Sequence, residues 1–239
     1  MEERGTPMVK QSMEHFFKTR EEASVAAAEA IAERLAARLD AQSAASLVVS
    51  GGTTPDRCFD VLSEKPLDWQ RTHIVLSDER WVPPDDEASN ERLVRDALLK
   101  GAATPAKLLS VFSMTTGIQA RCDEVDKQIR IGPFPFACSL LGMGEDGHFA
   151  SLFPDAANLE EGVDVNGEQL CIPVTTAASP HPRVSLTLAA LARSDAIVLL
   201  MFGDNKLEVY EQAKQKGSKL PVAHLLKQKK APVHVYWAP

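Results

Sequence analysis

Short apolar runs suited to buried strands alternate with helix-like segments along most of the 239-residue chain. A helix is the usual connection between parallel strands, and it packs against a face of the sheet that those strands form. The alternation therefore predicts an α/β fold built on a mainly parallel, doubly wound sheet. The predicted strands cover residues 46–50, 72–77, 136–141, 170–174, 183–188, 196–202 and 233–237.

Apolar residues recur at helical spacing in the segments between these strands. The irregular, acidic segment 154–169 lacks this pattern and is predicted to be a surface loop or part of a small lobe. We expect one domain over residues 1–239, with the small lobe within 150–182. In the second predicted helix, Thr54 is the expected N-cap and Pro55 stands in the first turn. The predicted helices cover residues 21–42, 55–62, 89–100, 117–131, 189–192, a segment that begins at 203–206, and 221–226.

Composition excludes several classes of protein. A formal net charge of −7 and a sequence pI of about 5.4 argue against a nucleic-acid-binding protein, which needs a dense basic surface. No apolar run is long enough to cross a bilayer, and the N-terminal segment lacks the apolar core of a signal peptide. The four scattered cysteines have neither disulfide-framework nor metal-ligand spacing. We therefore expect a cytoplasmic protein with buried thiols, no metal site and a small-molecule ligand.

The most informative loop follows the predicted strand at 136–141. Gly142-Met143-Gly144 breaks the strand, and Asp146 and His148 come directly after it. Ligands of parallel α/β sheets collect where strands end, and a carboxylate beside an imidazole suits a general base and its helper. The same spacing also fits an ordinary turn with a solvated Asp and a capping His.

A second glycine turn lies between a predicted strand and a predicted helix. It reads Gly51-Gly52-Thr53-Thr54-Pro55, and free N–H groups at such a helix start can cradle a phosphate. Many glycine turns only connect elements, and the usual nucleotide fingerprints are absent. The charged residues Asp78-Glu79-Arg80 end another strand. They fit an active-site edge, but a solvated turn explains this segment alone better.

Several ordered motifs together resemble one family of enzymes. The most specific are Ser-Asp-Glu-Arg-Trp-Val-Pro at 77–83 and Gly-Met-Gly-Glu-Asp-Gly-His at 142–148, supported by 50–55, 151–154, 183–187 and 203–206. Over nearly its whole length the chain resembles the 6-phosphogluconolactonases, within a group that includes glucosamine-6-phosphate deaminase. The resemblance implies a Rossmann-like sheet with a small appended lobe, no cofactor, and hydrolysis of the δ-lactone of 6-phosphogluconate in the oxidative pentose phosphate pathway.

The resemblance also implies how the substrate is held. It places Arg183 and Lys206 beside the turn Gly51, Gly52, Thr53 and Thr54 as charge partners of the substrate phosphate. Arginine can bind two phosphate oxygens at once, and lysine acts as a mobile point charge. A phosphate anchored in this way leaves only the lactone end of the sugar to be aligned with the catalytic groups.

His148 is expected to activate water, because a neutral imidazole with an unperturbed pKa of about 6.5 accepts a proton near neutral pH. Asp146 could orient the ring, stabilise its protonated form or contact the sugar hydroxyls. Arg80 could steady that carboxylate or the developing oxyanion, or reach the phosphate. Asp78 and Glu79 are weaker candidates, whose main role could be to position Arg80. No Gly-x-Ser-x-Gly elbow is present, so a serine nucleophile is not expected.

Two other functions compete with this interpretation. A glucosamine-6-phosphate deaminase or isomerase generally has Asp-Glu-Tyr where residues 78–80 read Asp-Glu-Arg, and continues toward Asn-Glu-Pro where residues 151–154 read Ser-Leu-Phe-Pro. A non-catalytic sugar-phosphate sensor, such as the effector domain of a transcription regulator, would need a separate DNA-binding domain, for which 239 residues leave no room. Such a sensor would also not need both Asp146 and His148. These differences favour the lactonase, while the sequence leaves open a monomer or a homo-oligomer.

Overall fold

The computed structural model describes residues 12–239. Within this range the strands form one large and one small sheet. The strands are β1 (Met13–Phe16), β2 (Ala45–Val49), β3 (Thr72–Leu76), β4 (Asp78–Arg80), β5 (Lys107–Leu109), β6 (Cys138–Leu141), β7 (Cys171–Val174), β8 (Arg183–Leu186), β9 (Ile197–Phe202) and β10 (Val233–Ala238).

The large sheet has seven strands in the order β1-β10-β9-β6-β2-β3-β5, and every neighbouring pair is parallel. This confirms the predicted α/β fold with a mainly parallel sheet. From β2 the chain adds β3 and β5 on one side, then returns to place β6, β9 and β10 on the other. The strand order therefore reverses between β2 and β6, and ligands of such sheets bind in the crevice at this switch point.

The small sheet is antiparallel, with β8 between β4 and β7. Its edge strand β7 was expected at 170–174, whereas β4 directly continues the chain from β3 of the large sheet. Of the three strands of the small sheet, only β7 lies within the lobe predicted at 150–182. The assignment of that lobe stays a prediction.

Helices connect the strands, and the first illustrates why they form where they do. Thr19 Oγ1 accepts from the Glu22 N–H at 3.1 Å and the Glu22 carboxylate accepts from the Thr19 N–H, which closes a capping box at its start. Its alanine-rich face packs against β9 and β10. The helices are α1 (Arg20–Ala41), α2 (Asp56–Ser63), α3 (Asn90–Ala97), α4 (Ile118–Ile131), α5 (Leu159–Gly162), α6 (Leu188–Leu191), α7 (Asp204–Lys214) and α8 (Pro221–Lys227).

The core lies on both sides of the large sheet. Every residue of β2 and β6 is buried, as expected for central parallel strands that are covered on both faces. The four cysteines are buried thiols, as the sequence predicts. Among residues 12–239, no helix has the length and apolar content needed to span a membrane.

Two predicted boundaries are wrong for local reasons. Pro55, not Thr54, is the N-cap of α2, because the Pro55 carbonyl accepts the first hydrogen bond of the helix, from the Phe59 N–H at 2.8 Å. The strand predicted at 183–188 ends at Leu186, because the Thr187 hydroxyl accepts from the Ala190 N–H and caps α6.

Candidate active site

An open cleft of about 450 Å³ lies at the switch point, where the loops that follow β2 and β6 meet the small sheet. Strands β4 and β8 and the first turns of α3 and α7 complete its walls. The predicted site residues that line the cleft are Gly51, Gly52, Thr53, Thr54, Asp78, Arg80, His148, Arg183 and Lys206. The predicted residue Asp146 is not part of this lining, but it contacts His148, which is.

The loop after β6 is folded tightly by its own backbone. The Gly144 N–H donates to the His148 carbonyl at 2.9 Å, and the Gly147 N–H donates to the Gly144 carbonyl at 3.0 Å. Gly147 has a φ of +78°, which glycine adopts without strain. The imidazole of His148 lies so close to Gly144 that a side chain there would collide with it. Gly144 therefore makes room for the histidine ring.

His148 and Asp146 form a hydrogen-bonded pair. His148 Nδ1 lies 2.5 Å from Asp146 Oδ1, and the His148 backbone N–H donates to the same oxygen at 3.1 Å. Because a carboxylate accepts, Nδ1 carries the proton and Nε2 is left as an acceptor when the ring is neutral. The Phe153 ring packs against the imidazole, with centroids 4.3 Å apart. This geometry suits an oriented general base.

The Asp78 carboxylate is buried and held from two sides. Its Oδ1 accepts from Ser77 Oγ at 2.8 Å, and its Oδ2 accepts from Ser151 Oγ at 2.6 Å. Arg183 Nη1 lies 3.8 Å from the same Oδ2. The Ser151 hydroxyl is thus committed to Asp78 as a donor.

Glu79 is also buried, so a solvated turn at residues 78–80 is wrong. Its carboxylate accepts from the backbone N–H groups of Arg80, Asn90 and Glu91 and from the Ser89 hydroxyl. Burial raises the pKa of the Glu79 carboxyl, and these hydrogen bonds oppose the rise. Pairing of β4 with β8 carries this segment into the interior. Glu79 therefore anchors the start of α3 rather than facing solvent.

Two arginines lie side by side on neighbouring strands of the small sheet. Arg80 on β4 is the register partner of Arg183 on β8. Arg183 Nε and Nη2 donate to Ser179 Oγ at 3.0 and 2.8 Å, and Arg80 Nη1 donates to the Ala88 carbonyl at 2.6 Å. Burial lowers the pKa of the Arg183 guanidinium, with a further contribution from the charge of Arg80. Adjacent cations of this kind attract an anion.

The glycine turn and Lys206 also line the cleft. Gly52 has a φ of +82°, and the Asp56 N–H donates to the Thr53 carbonyl at 3.4 Å as α2 begins. Burial lowers the pKa of Lys206, which stands in the first turn of α7. Across residues 12–239, no group of three or more His, Cys, Asp or Glu side chains could hold a metal ion.

Two residues of the site were not predicted as site residues, although Phe153 lies within the motif at 151–154. Phe153 lies between His148 and Arg183, with the Arg183 guanidinium 5.8 Å from its ring centre. Asn90 lies beneath the glycine turn, where its side chain contacts Gly51. Phe153 resembles a core residue and Asn90 an ordinary helix-start residue, so only their placement reveals them.

The family model and the relatives that match this chain point to one family. Residues 18–237 match the family model described as glucosamine-6-phosphate isomerases/6-phosphogluconolactonase. A 6-phosphogluconolactonase of Mesorhizobium japonicum is 37% identical over 93% of this chain and 94% of that protein. One of Pseudomonas aeruginosa is 37% identical over 87% of each chain.

A solved structure extends the likeness to three dimensions. The crystal structure of a 6-phosphogluconolactonase from Shewanella baltica has a TM-score of 0.91 and 39% sequence identity, and covers 97% of this chain and 100% of that one. The matched residues include both loops at the switch point and both arginine strands. The chain therefore belongs to the glucosamine-6-phosphate isomerase/6-phosphogluconolactonase family.

Proposed function

We propose that this chain is a 6-phosphogluconolactonase, which hydrolyses 6-phospho-D-glucono-1,5-lactone to 6-phosphogluconate in the oxidative pentose phosphate pathway. The relatives reported above are named for this activity. The observation that carries the proposal is one cleft holding both an oriented His–Asp pair and a cluster of cations. The first suits water activation, and the second suits a phosphorylated substrate. As a phosphorylated metabolite, the substrate also makes the cytoplasm the proposed compartment.

The phosphate is held by the glycine turn together with Arg183 and Lys206. The turn contributes backbone N–H groups and the hydroxyls of Thr53 and Thr54 beside the start of α2. Arg183 is fixed by Ser179, so its planar guanidinium is already oriented to bind two oxygens. Anchoring the phosphate at this end reduces the remaining problem to alignment of the lactone carbonyl.

His148 removes a proton from water as the water oxygen bonds to C1 of the lactone. Its Nε2 accepts that proton, and the Asp146 carboxylate stabilises the imidazolium through the Nδ1–H bond. The electron pair of the carbonyl moves onto its oxygen, which becomes an oxyanion. Arg80 is the cation on β4 that we assign to this negative charge, because it lies in the cleft beside Arg183.

The tetrahedral intermediate then collapses. The C1–O5 bond breaks, the carbonyl re-forms, and the protonated His148 returns its proton to the ring oxygen, which becomes the C5 hydroxyl. The product is an open-chain acid that still carries the phosphate. Water is the only co-reactant, so the atoms and charges balance without a cofactor.

A continuous assay with freshly generated lactone, read against a blank without enzyme, tests the proposal. The wild-type chain should accelerate hydrolysis, and His148→Asn should lose most of that acceleration while binding of 6-phosphogluconate persists. Near-normal turnover by His148→Asn would show that another group activates water. Release of ammonia from glucosamine 6-phosphate without lactone turnover would contradict the assigned activity.

A further inference from the structure

The side chain of Asn90 is wedged between β4 and the glycine turn. Asn90 is 2% exposed, and its Nδ2 donates to the Asp78 backbone carbonyl at 2.9 Å. A carbonyl only accepts hydrogen bonds, so this end of the amide must be the nitrogen. The oxygen end, Oδ1, therefore faces away from Asp78 and toward Gly51.

Contact between this amide and Gly51 is direct. A Cβ built on Gly51 would lie 2.0 Å from Asn90 Oδ1, so no larger residue fits at position 51 while Asn90 keeps its place. The backbone of Asn90 is itself fixed, because its N–H donates to the buried Glu79 carboxylate at 2.7 Å. The amide thus sets how closely the glycine turn approaches the strand that carries Asp78 and Arg80.

The oxygen end of this amide lowers stability. Asn90 Oδ1 is buried and has no hydrogen-bond partner among the residues that the structure describes. A buried acceptor without a donor costs stability, and this cost offsets part of what the Nδ2 hydrogen bond to the Asp78 carbonyl contributes. A side chain chosen only to pack the start of α3 would not need this amide.

We propose that Asn90 is a positioning residue that holds the phosphate-binding turn at a fixed distance from β4. The inference rests on the proposed function, since it assumes that Gly51–Thr54 binds the substrate phosphate. Asn90 bonds to the strand through Nδ2 and supports the turn through Oδ1. The donors of the turn and the cation of Arg80 then stand in one fixed geometry before substrate arrives.

Three variants and a control test this role. Asn90→Ala should raise KM and the inhibition constant of inorganic phosphate by about tenfold, with kcat within about twofold, because the turn loses its support. Its melting temperature should fall by no more than that of Asn158→Ala, which loses the same kind of hydrogen bond. Asn158→Ala is the matched control, because Asn158 Nδ2 also donates to a backbone carbonyl, that of Pro173, at 2.8 Å, but outside the cleft. The control should leave KM unchanged.

The decisive comparison is a rescue. Gly51→Ala should impair phosphate binding because its methyl group collides with Asn90, and adding Asn90→Ala should recover part of that loss by vacating the space. A double variant as weak as Gly51→Ala, or an Asn90→Ala enzyme with unchanged KM and phosphate affinity, would overturn the inference. If the wild-type chain hydrolyses no lactone, the proposed function fails, but phosphate affinities measured by calorimetry still decide the role of Asn90.

Discussion

Replacing Gly144 by alanine is expected to disable the His148–Asp146 pair without changing any ionisable group. An added Cβ would lie 2.2 Å from both Cε1 and Nδ1 of His148 and 2.7 Å from Asp146 Oδ1. The φ of Gly144 is not in the left-handed region, so the alanine backbone itself is unstrained. The methyl group therefore acts on the ring and the carboxylate rather than on the loop.

The size of the effect follows from the displacement required. Ordinary van der Waals contact begins near 3.4 Å, so the imidazole must move by roughly 1.2 Å. A misplacement of about 1 Å at a reacting group costs on the order of 100-fold in rate, or about 2.7 kcal/mol of activation free energy. We expect kcat/KM to fall by about that factor, carried mainly by kcat, because the phosphate contacts are untouched.

Gly142→Ala is the matched control, because a Cβ at Gly142 meets nothing within 4 Å. Both variants should be assayed with freshly generated lactone against a blank, and their melting temperatures should match the wild type. Gly142→Ala should keep near-normal turnover. Wild-type activity in Gly144→Ala, or an equal loss in both variants, would refute the idea that the position of the His148 ring limits the reaction.

Three further predictions concern the charged residues. Arg183→Ala should raise KM far more than it lowers kcat, because phosphate contacts persist through the reaction, and steady-state kinetics showing a change in kcat alone would contradict this. Burial lowers the pKa of Lys206 below its usual 10.5, so the charged form is lost at lower pH than in an ordinary lysine. The inhibition constant of 6-phosphogluconate should therefore begin to rise with pH below that value, and Lys206→Arg should remove the rise. Glu79→Gln should lower the free energy of unfolding in urea by about 2 kcal/mol, because an amide nitrogen would face N–H donors, and an unchanged value would argue against its role at α3.

Much of the fold follows from local patterns. Strand β9, inside the large sheet, is a continuous apolar run, as expected for a parallel strand with both faces covered. Edge strand β1 has half-buried residues alternating with exposed ones, and β5 is only three residues long. These short segments become strands because β1 pairs with β10 and β5 pairs with β3. No local sequence pattern indicates this pairing.

The three-residue strand β4, at the candidate active site, is another short strand that local sequence does not predict. Asp-Glu-Arg suits a solvated turn by composition, because burial of charge is unfavourable unless partners compensate. Pairing with β8, four donors to Glu79 and two hydroxyl donors to Asp78 supply that compensation. Apart from Ser77 and Arg80, these partners lie ten or more residues away in sequence, so the interpretation drawn from the segment alone was wrong.

By itself the sequence determined what is local: the alternation of strands and helices, the two glycine turns, and the pairing of Asp146 with His148, two residues apart. Tertiary structure decided which distant groups meet. Arg183 approaches Asp78 and Asn90 supports Gly51 only because the strand order reverses between β2 and β6 and the small sheet closes over that point. The physical reason is that local conformation depends on neighbouring residues, whereas a binding site depends on how separate elements bury their surfaces against one another.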